Sequence, residues 1–143
     1  MAQRLVQHRI ADAPQVIVDV AHNPQAARQL ARWFDANPAA GETHAVFGAL
    51  DDKDVAGIVG ALHPRIARWH LAGLDRESPR GLPIEELSRR VRTAAPDATI
   101  SAYPDVATAL QAARANVAAR DRILAFGSFF VVAAVLRSRG PRA

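Results

Sequence analysis

Short apolar runs alternate along this chain with longer amphipathic stretches. Apolar runs of strand length occupy residues 16–20 (VIVDV), 44–50, 68–72, 98–102 and 123–126. Helical spacing of apolar positions predicts helices at residues 25–37, 54–62, 106–119 and 128–136, and a further helix that begins at Pro83. Residues 4–10 are predicted to form an edge strand, paired with residues 16–20. The chain therefore alternates strand and helix about five times.

This alternation favours an α/β fold with a mostly parallel, doubly wound sheet. Helical connections of this length join parallel strands and place helices on both faces of the sheet. We expect five to six strands in a single domain that covers residues 1–143. Because ligands of such sheets bind beyond the carboxyl ends of the strands, functional residues are sought there.

Composition supports a folded protein and excludes several chemistries. Half of the 143 residues are hydrophobic and 22% are charged, which is enough for a core. No cysteine is present, which excludes disulfides, thiolate zinc sites and a cysteine nucleophile. The longest apolar run, residues 123–136, is too short to span a bilayer, and the amino terminus has no apolar signal core. We therefore expect a cytoplasmic protein without a membrane partner.

The positive charge comes almost entirely from arginine. The net charge is +4, and Lys53 is the single lysine of the sequence. The arginines are scattered and are not interleaved with aromatic residues, whereas nucleic-acid binding requires a basic stripe with stacking aromatics. We do not expect a nucleic-acid partner.

The first predicted strand runs into the sequence D-V-A-H-N-P, which includes Asp19, His22 and Asn23. Asn23 fits the role of a helix cap before Pro24, and Asp19 fits that role less well because it comes four residues earlier. A carboxylate inside an apolar strand is costly unless it is paired. His22 has two interpretations, a structural loop histidine or a site residue. Asp19 and His22 alone make a weak metal site, because no third ligand is evident, and none is predicted.

The other predicted strands also end in polar residues. Lys53 is flanked by aspartates in G-A-L-D-D-K-D, where Asp54 could cap the next helix. The loop S-P-R-G contains Arg80, and L-A-F-G-S-F contains Gly127 and Ser128. Each has a structural alternative, namely a solvated turn or a cap. Together, a lysine, an arginine and a helix start that follows glycine are suited to bind anionic groups.

Several nucleotide and hydrolase motifs are absent from the sequence. It contains no G-x-x-x-x-G-K-[ST], no G-x-G-x-x-G after the first strand and no G-x-S-x-G. These absences argue against a phosphate-binding P-loop, a standard dinucleotide site and a serine hydrolase elbow within this chain.

The four motifs D-V-A-H-N-P-Q-A-A, G-A-L-D-D-K-D, S-P-R-G and L-A-F-G-S-F occur here in one order. In this respect the chain resembles the carboxy-terminal domain of the Mur ligase superfamily, and within it the dihydrofolate synthase/folylpolyglutamate synthase family. The resemblance extends from about residue 16 to residue 136. It implies a Rossmann-like fold and a role in folate biosynthesis and one-carbon metabolism.

The resemblance also implies a reaction and a partner. Such ligases use ATP and Mg²⁺, held mainly by an amino-terminal P-loop ATPase domain that this chain does not contain, to activate a carboxylate as an acyl phosphate. L-glutamate then forms an amide with dihydropteroate or folate. The resemblance implies that His22 and Lys53 are catalytic, that Asp19 and Asn23 bind the nucleotide, and that His22, Ser128 and Arg80 bind substrate. Alone, the domain would be inactive.

Two alternatives remain open from the sequence. The chain could be a stand-alone binding or interaction module of the same fold, in which the residues at the strand ends would be dispensable. It could also be the corresponding domain of a cell-wall Mur ligase, which shares the fold. A small hydrolase that uses His22 and Ser128 is disfavoured, because these residues follow different strands and no oxyanion element is evident.

Overall fold

The computed structural model describes residues 14–138 and the backbone of residues 4–6. In this part of the chain the strands are β1 (Arg4–Val6), β2 (Gln15–Asp19), β3 (Thr43–Phe47), β4 (Arg68–Ala72), β5 (Ile100–Tyr103) and β6 (Arg122–Phe126). The helices are α1 (Pro24–Ala36), α2 (Val55–Leu62), α3 (Ile84–Ala94), α4 (Val106–Asn116) and α5 (Phe129–Ser138). A short 3₁₀ turn, His63–Arg65, follows α2.

The described strands form one sheet in the order β1-β2-β6-β3-β4-β5. β2, β6, β3, β4 and β5 pair in parallel, and β1 pairs antiparallel with β2 at the edge. The predicted α/β class with a mostly parallel sheet is confirmed, as is the pairing of the edge strand with β2. Residues 7–10 of the predicted edge strand lie outside the described residues.

Helices cover both faces of the sheet, as predicted. The buried sides of α1, α2 and α3 pack on one face, and those of α4 and α5 pack on the other. On the first face the ring of Phe47 lies 4.8 Å from that of Phe126 and 5.7 Å from that of Trp69. These three side chains are fully buried, so they fix the middle of the sheet against the helices.

Two predicted elements end three residues earlier in the structure than the apolar pattern predicts. The strand predicted for residues 44–50 ends at Phe47, and the chain then turns so that Leu50 forms an isolated bridge with Gly81. The helix predicted for residues 106–119 ends at Asn116, whose side-chain amide donates to the Ala112 carbonyl at 2.7 Å. Such side-chain bonds satisfy carbonyl groups that a helix end leaves without partners.

The longest apolar run of the sequence is divided between a strand and a helix. β6 ends at Phe126 and α5 begins at Phe129, with Gly127 and Ser128 between them. Each segment is therefore half of a strand–turn–helix unit. Within the described part of the chain, no helix combines the length and the apolar character that crossing a bilayer requires.

Candidate active site

The carboxyl ends of β2, β6 and β3 meet at one edge of the sheet. In the parallel register, Phe126 at the end of β6 is the partner of Asp19 on one side and of Phe47 on the other. α1 and α2 then pack on one face, whereas α5 packs on the opposite face. The loops that follow these neighbouring strands therefore leave toward opposite faces of the sheet, and a crevice opens above the end of β6. Such a crevice is expected where the strand order reverses.

The loop after β2 is held in place by Asp19. This carboxylate is only 1% exposed, and its Oδ1 accepts a hydrogen bond from the Ala21 backbone N–H at 2.8 Å. The bond fixes the backbone that carries His22, whose side chain is exposed at the edge of the sheet. Asp19 therefore positions the loop, and its predicted contact with a nucleotide stays a prediction.

Asn23 caps the first helix, as its position before Pro24 predicts. Its Oδ1 accepts from the Ala26 N–H at 2.8 Å. The side-chain amide nitrogen is not used in this bond. A role at a nucleotide therefore stays a prediction alongside the capping role.

We expect Asn23→Ala to lower the free energy of unfolding by about 1 kcal/mol, because an N-terminal amide of α1 loses its acceptor. Asn23→Asp keeps the acceptor and should stay near the wild-type value. Chemical denaturation followed by circular dichroism measures both. The matched control is Gln111→Ala at an exposed position within α4, which should change stability by less than about 0.5 kcal/mol. Equal values for Asn23→Ala and the control would refute the capping contribution.

The turn after β3 presents the single lysine of the chain. Asp54 caps α2, with its Oδ1 accepting from the Gly57 N–H at 2.9 Å. Lys53 is 26% exposed, and its Nζ lies 3.7 Å from Asp52 Oδ1. The predicted cap is confirmed, and it sets the direction in which the preceding lysine leaves the turn.

Asp52 also forms an ion pair with the Arg80 guanidinium. The two loops are joined by their backbones as well, since the Asp51 N–H donates to the Arg80 carbonyl at 2.7 Å. Desolvation raises the pKa of Asp52, but the charges of Arg80 and Lys53 outweigh it and hold the pKa below its ordinary value. Asp52 is therefore a carboxylate that lies between two cations.

The loop after β6 contains Gly127 and the predicted site residue Ser128. Gly127 adopts a φ of 110°, in the region that favours glycine. Ser128 follows and is 4% exposed, and its Oγ accepts from the Phe130 N–H at 3.0 Å at the start of α5. The Ser128 hydroxyl proton is not used in that bond, so the group can still donate to a ligand.

Three of the predicted site residues border one cavity of about 200 Å³. Its lining consists of His22, Leu50, Lys53, Gly127, Ser128, Phe129 and Phe130. His22 also borders a second cavity, of about 260 Å³, that lies over the beginning of α1. Arg80 does not line the first cavity and is engaged with Asp52 at the same edge of the sheet. The structure thus brings His22, Lys53 and Ser128 together.

The arrangement is suited to hold a carboxylate or another anionic group. Lys53 supplies a fixed charge, Ser128 a hydroxyl donor and His22 a ring nitrogen. α1, α2 and α5 all begin at this edge, so the partial positive charge of their first turns adds to that of Lys53.

Sequence reasoning missed one component of this cavity. Phe129 is 69% exposed although it is a large apolar side chain, and Phe130 and Leu50 line the cavity beside it. No sequence signal marked Phe129 as exposed, because the first residues of the capped helices α2 and α4, Val55 and Val106, are buried.

Comparison with known proteins identifies the family. A family model described as "Mur ligase, glutamate ligase domain" matches residues 3–129. The chain belongs to this family. The match covers most of the chain, including the loops that carry Asp19, Lys53 and Gly127, and it confirms the resemblance seen in the motifs.

Two relatives of this chain within the family carry the same protein name. The chain is 39% identical over 127 residues to the dihydrofolate synthase/folylpolyglutamate synthase of Escherichia coli, and 37% identical over 126 residues to that of Haemophilus influenzae. These alignments cover 89% and 84% of this chain but 28% of each relative. The chain therefore spans well under a third of the length of these members of the Mur ligase family.

Solved structures of the family have the same fold. E. coli FolC in complex with DHPP and ADP superposes with a TM-score of 0.80 at 37% identity, covering 92% of this chain and 30% of that one. A bifunctional folylpolyglutamate synthase/dihydrofolate synthase with Mn, AMPPNP and L-glutamate bound gives a TM-score of 0.76 at 34% identity, with the same coverage. The Rossmann-like architecture predicted from the motifs is thereby confirmed.

Proposed function

We propose that this chain forms the glutamate-binding half of an ATP-dependent ligase site that adds L-glutamate to dihydropteroate or folate. The observation that carries the proposal is the cavity shared by His22, Lys53 and Ser128. A relative with a TM-score of 0.76 was solved with L-glutamate bound, and other relatives carry the dihydrofolate synthase/folylpolyglutamate synthase name. The rest of the site would come from an amino-terminal P-loop ATPase domain, which is the proposed partner.

Glutamate has two carboxylates, and the cavity offers donors suited to them. The Ser128 hydroxyl can donate one hydrogen bond while its oxygen remains fixed by the Phe130 N–H. The Lys53 ammonium supplies the charge. Gly127 has no Cβ to overlap Gly48 and Phe47, so it permits the turn that brings Ser128 to the cavity. His22 lines the same cavity, where its ring can orient the substrate amine or a carboxylate.

The residues also fit the anionic groups of a nucleotide in part. Lys53 and the beginnings of α1, α2 and α5 give this edge a positive potential. Asp19 and Asn23 are the proposed nucleotide contacts from this chain. ATP, bound with Mg²⁺ mainly by the partner domain, supplies the chemical activation of the acceptor carboxylate. The part played by this chain is to bind and orient glutamate and to hold positive charge near the reacting oxygens.

A chimaera tests the proposal. This chain replaces the matching segment of the E. coli relative, and ADP release is measured with dihydropteroate, with and without L-glutamate. We expect glutamate-dependent ADP release, with the unaltered relative as the positive control. A chimaera that folds and binds nucleotide but releases ADP at one rate regardless of glutamate would contradict the proposal and favour an interaction module.

In the same chimaera, Ser128→Ala should raise the KM for L-glutamate about tenfold, because a hydrogen bond to a charged group is lost. The matched control is Ser138→Ala, at the far end of α5, where the hydroxyl donates to the Val135 carbonyl at 2.6 Å. Its KM should equal that of the unsubstituted chimaera. An unchanged KM in Ser128→Ala would remove this residue from the glutamate site.

A further inference from the structure

A second cluster of polar side chains lies at the opposite end of the sheet. Glu42 precedes β3, His44 lies near the beginning of β3, and Asp121 directly precedes β6. β3 and β6 are neighbours in parallel register, with Thr43 opposite Arg122, so their amino-terminal ends meet. One donor atom from each of Glu42, His44 and Asp121 lies within 4.8 Å of the other two.

The Asp121 carboxylate is held in its position by two backbone hydrogen bonds. It is 7% exposed, its Oδ1 accepts from the Glu42 N–H at 2.8 Å, and its Oδ2 accepts from the Ala118 N–H at 2.8 Å. These two backbone hydrogen bonds hold the carboxylate in one orientation. Each oxygen keeps a second lone pair, so Asp121 can still bind a cation while its orientation stays fixed.

His44 is oriented by a second buried histidine. It is 5% exposed, and its Nδ1 lies 3.4 Å from Nε2 of the fully buried His70. When Nδ1 donates to His70, the other nitrogen, Nε2, presents a lone pair toward Glu42, whose Oε1 is 3.7 Å away. In that tautomer the Nε2 lone pair faces a carboxylate oxygen, and a cation bound between them would remove the repulsion. Metal-binding histidines are oriented in the same way through their second nitrogen, where the partner is usually a carboxylate, a backbone carbonyl or water and here is a histidine.

We propose that Glu42, His44 and Asp121 bind a first-row divalent transition metal ion, with His70 as the outer hydrogen-bond partner. One imidazole and two carboxylates suit Zn²⁺ or Co²⁺, with water completing the coordination. The two carboxylates balance the charge of the ion, against the opposing charges of Arg120 near Asp121 and Arg68 near His70.

The ion would join two strands that are distant in sequence. Glu42 and Asp121 are separated by 79 positions, and the ion would tie the beginning of β3 to the beginning of β6. This edge is the opposite one from the His22, Lys53 and Ser128 cavity, so the proposed role is structural. An ion that binds only the folded chain stabilises it.

Titration of the full chain tests the proposal. After treatment with a chelator, Co²⁺ is followed by its visible absorption and Zn²⁺ by calorimetric competition at pH 7.5. We expect one ion per chain and a loss of affinity of about tenfold or more in Glu42→Gln. The Glu42 side chain is 69% exposed, so this substitution removes a ligand without disturbing the core.

Two control variants locate the ion. Glu85→Gln makes the same change at an exposed position on α3 and should bind as the wild type does. His63→Gln removes another surface pair, in which His63 Nε2 lies 3.0 Å from Asp97 Oδ1, and should also leave the affinity unchanged. The proposal would be overturned by equal affinity of wild type and Glu42→Gln, by loss of binding in His63→Gln, or by the absence of saturable binding of either ion.

Discussion

Replacing Gly127 by alanine is expected to lower the free energy of unfolding by about 3 kcal/mol or more. Two independent causes add at this position. The first is the backbone, because a φ of 110° is a conformation that residues with a Cβ rarely adopt. The second is space, because the new Cβ would overlap the Gly48 carbonyl oxygen and lie 2.7 Å from Phe47 Cε1.

Neither neighbour can move to make room. Gly48 is tied to the adjacent strand by a hydrogen bond from its N–H to the Phe126 carbonyl at 3.4 Å. Phe47 is fully buried and packs against the rings of Phe126 and Trp69. A close-packed core transmits such an overlap into the sheet and does not absorb it locally. The loop that presents Ser128 to the cavity would be displaced as well.

Urea denaturation of the full chain measures the effect. Gly60→Ala is the matched control, because Gly60 is exposed within α2 and a Cβ there meets nothing within 4 Å. We expect this control to gain about 0.5–1 kcal/mol from the better helix propensity of alanine. A Gly127→Ala chain within about 0.5 kcal/mol of wild type would show that the β6–α5 turn does not depend on glycine.

Lys53→Ala is expected to reduce kcat/KM for L-glutamate about 100-fold in the chimaera described above. Lys53 is the cation that lines the cavity with His22 and Ser128. A single fixed charge near developing negative charge contributes strongly where water is partly excluded, and Lys53 is 26% exposed before any partner domain covers it. Its nearest anion, Asp52, is shared with Arg80, so the ammonium is not neutralised by a dedicated partner.

Two further variants separate this role from a general effect of charge. Lys53→Arg keeps the cation and should recover part of the activity, while its planar shape prevents full recovery. Arg89→Ala removes an equal charge from the exposed surface of α3 and should leave kcat/KM unchanged. Steady-state kinetics at constant ionic strength compares them. If Lys53→Ala stayed within about threefold of the unsubstituted chimaera, Lys53 would have no part in catalysis.

The candidate site was predictable to the extent that it depends on strand ends. Each of Asp19, Lys53 and Ser128 lies at or shortly after the end of a strand, and parallel strands bring their carboxyl ends to one edge. The capping residues Asn23 and Asp54 were also predictable, because their interactions span only three residues. These predictions used only local geometry and the direction of the strands, and they did not depend on the order of the strands in the sheet.

What the sequence could not supply was the order of the strands. β6, the last strand along the chain, inserts between β2 and β3, and this insertion places Ser128 between His22 and Lys53. Arg80 follows β4, which lies on the other side of β3 from β6; it does not line the cavity and pairs with Asp52. The pairing of distant strands depends on the packing of the whole core, which has no local signature.

The alternation of strands and helices, the parallel direction of the sheet and membership of the Mur ligase family could all be predicted from the sequence, because they follow from local periodicity and from short ordered motifs. Three features required the folded structure: which strand ends are neighbours, how deeply Asp19 is buried, and the meeting of Glu42, His44 and Asp121 at the opposite edge. Those three residues are separated by up to 79 positions and come together only through the β3–β6 register, so no pattern along the chain marks them.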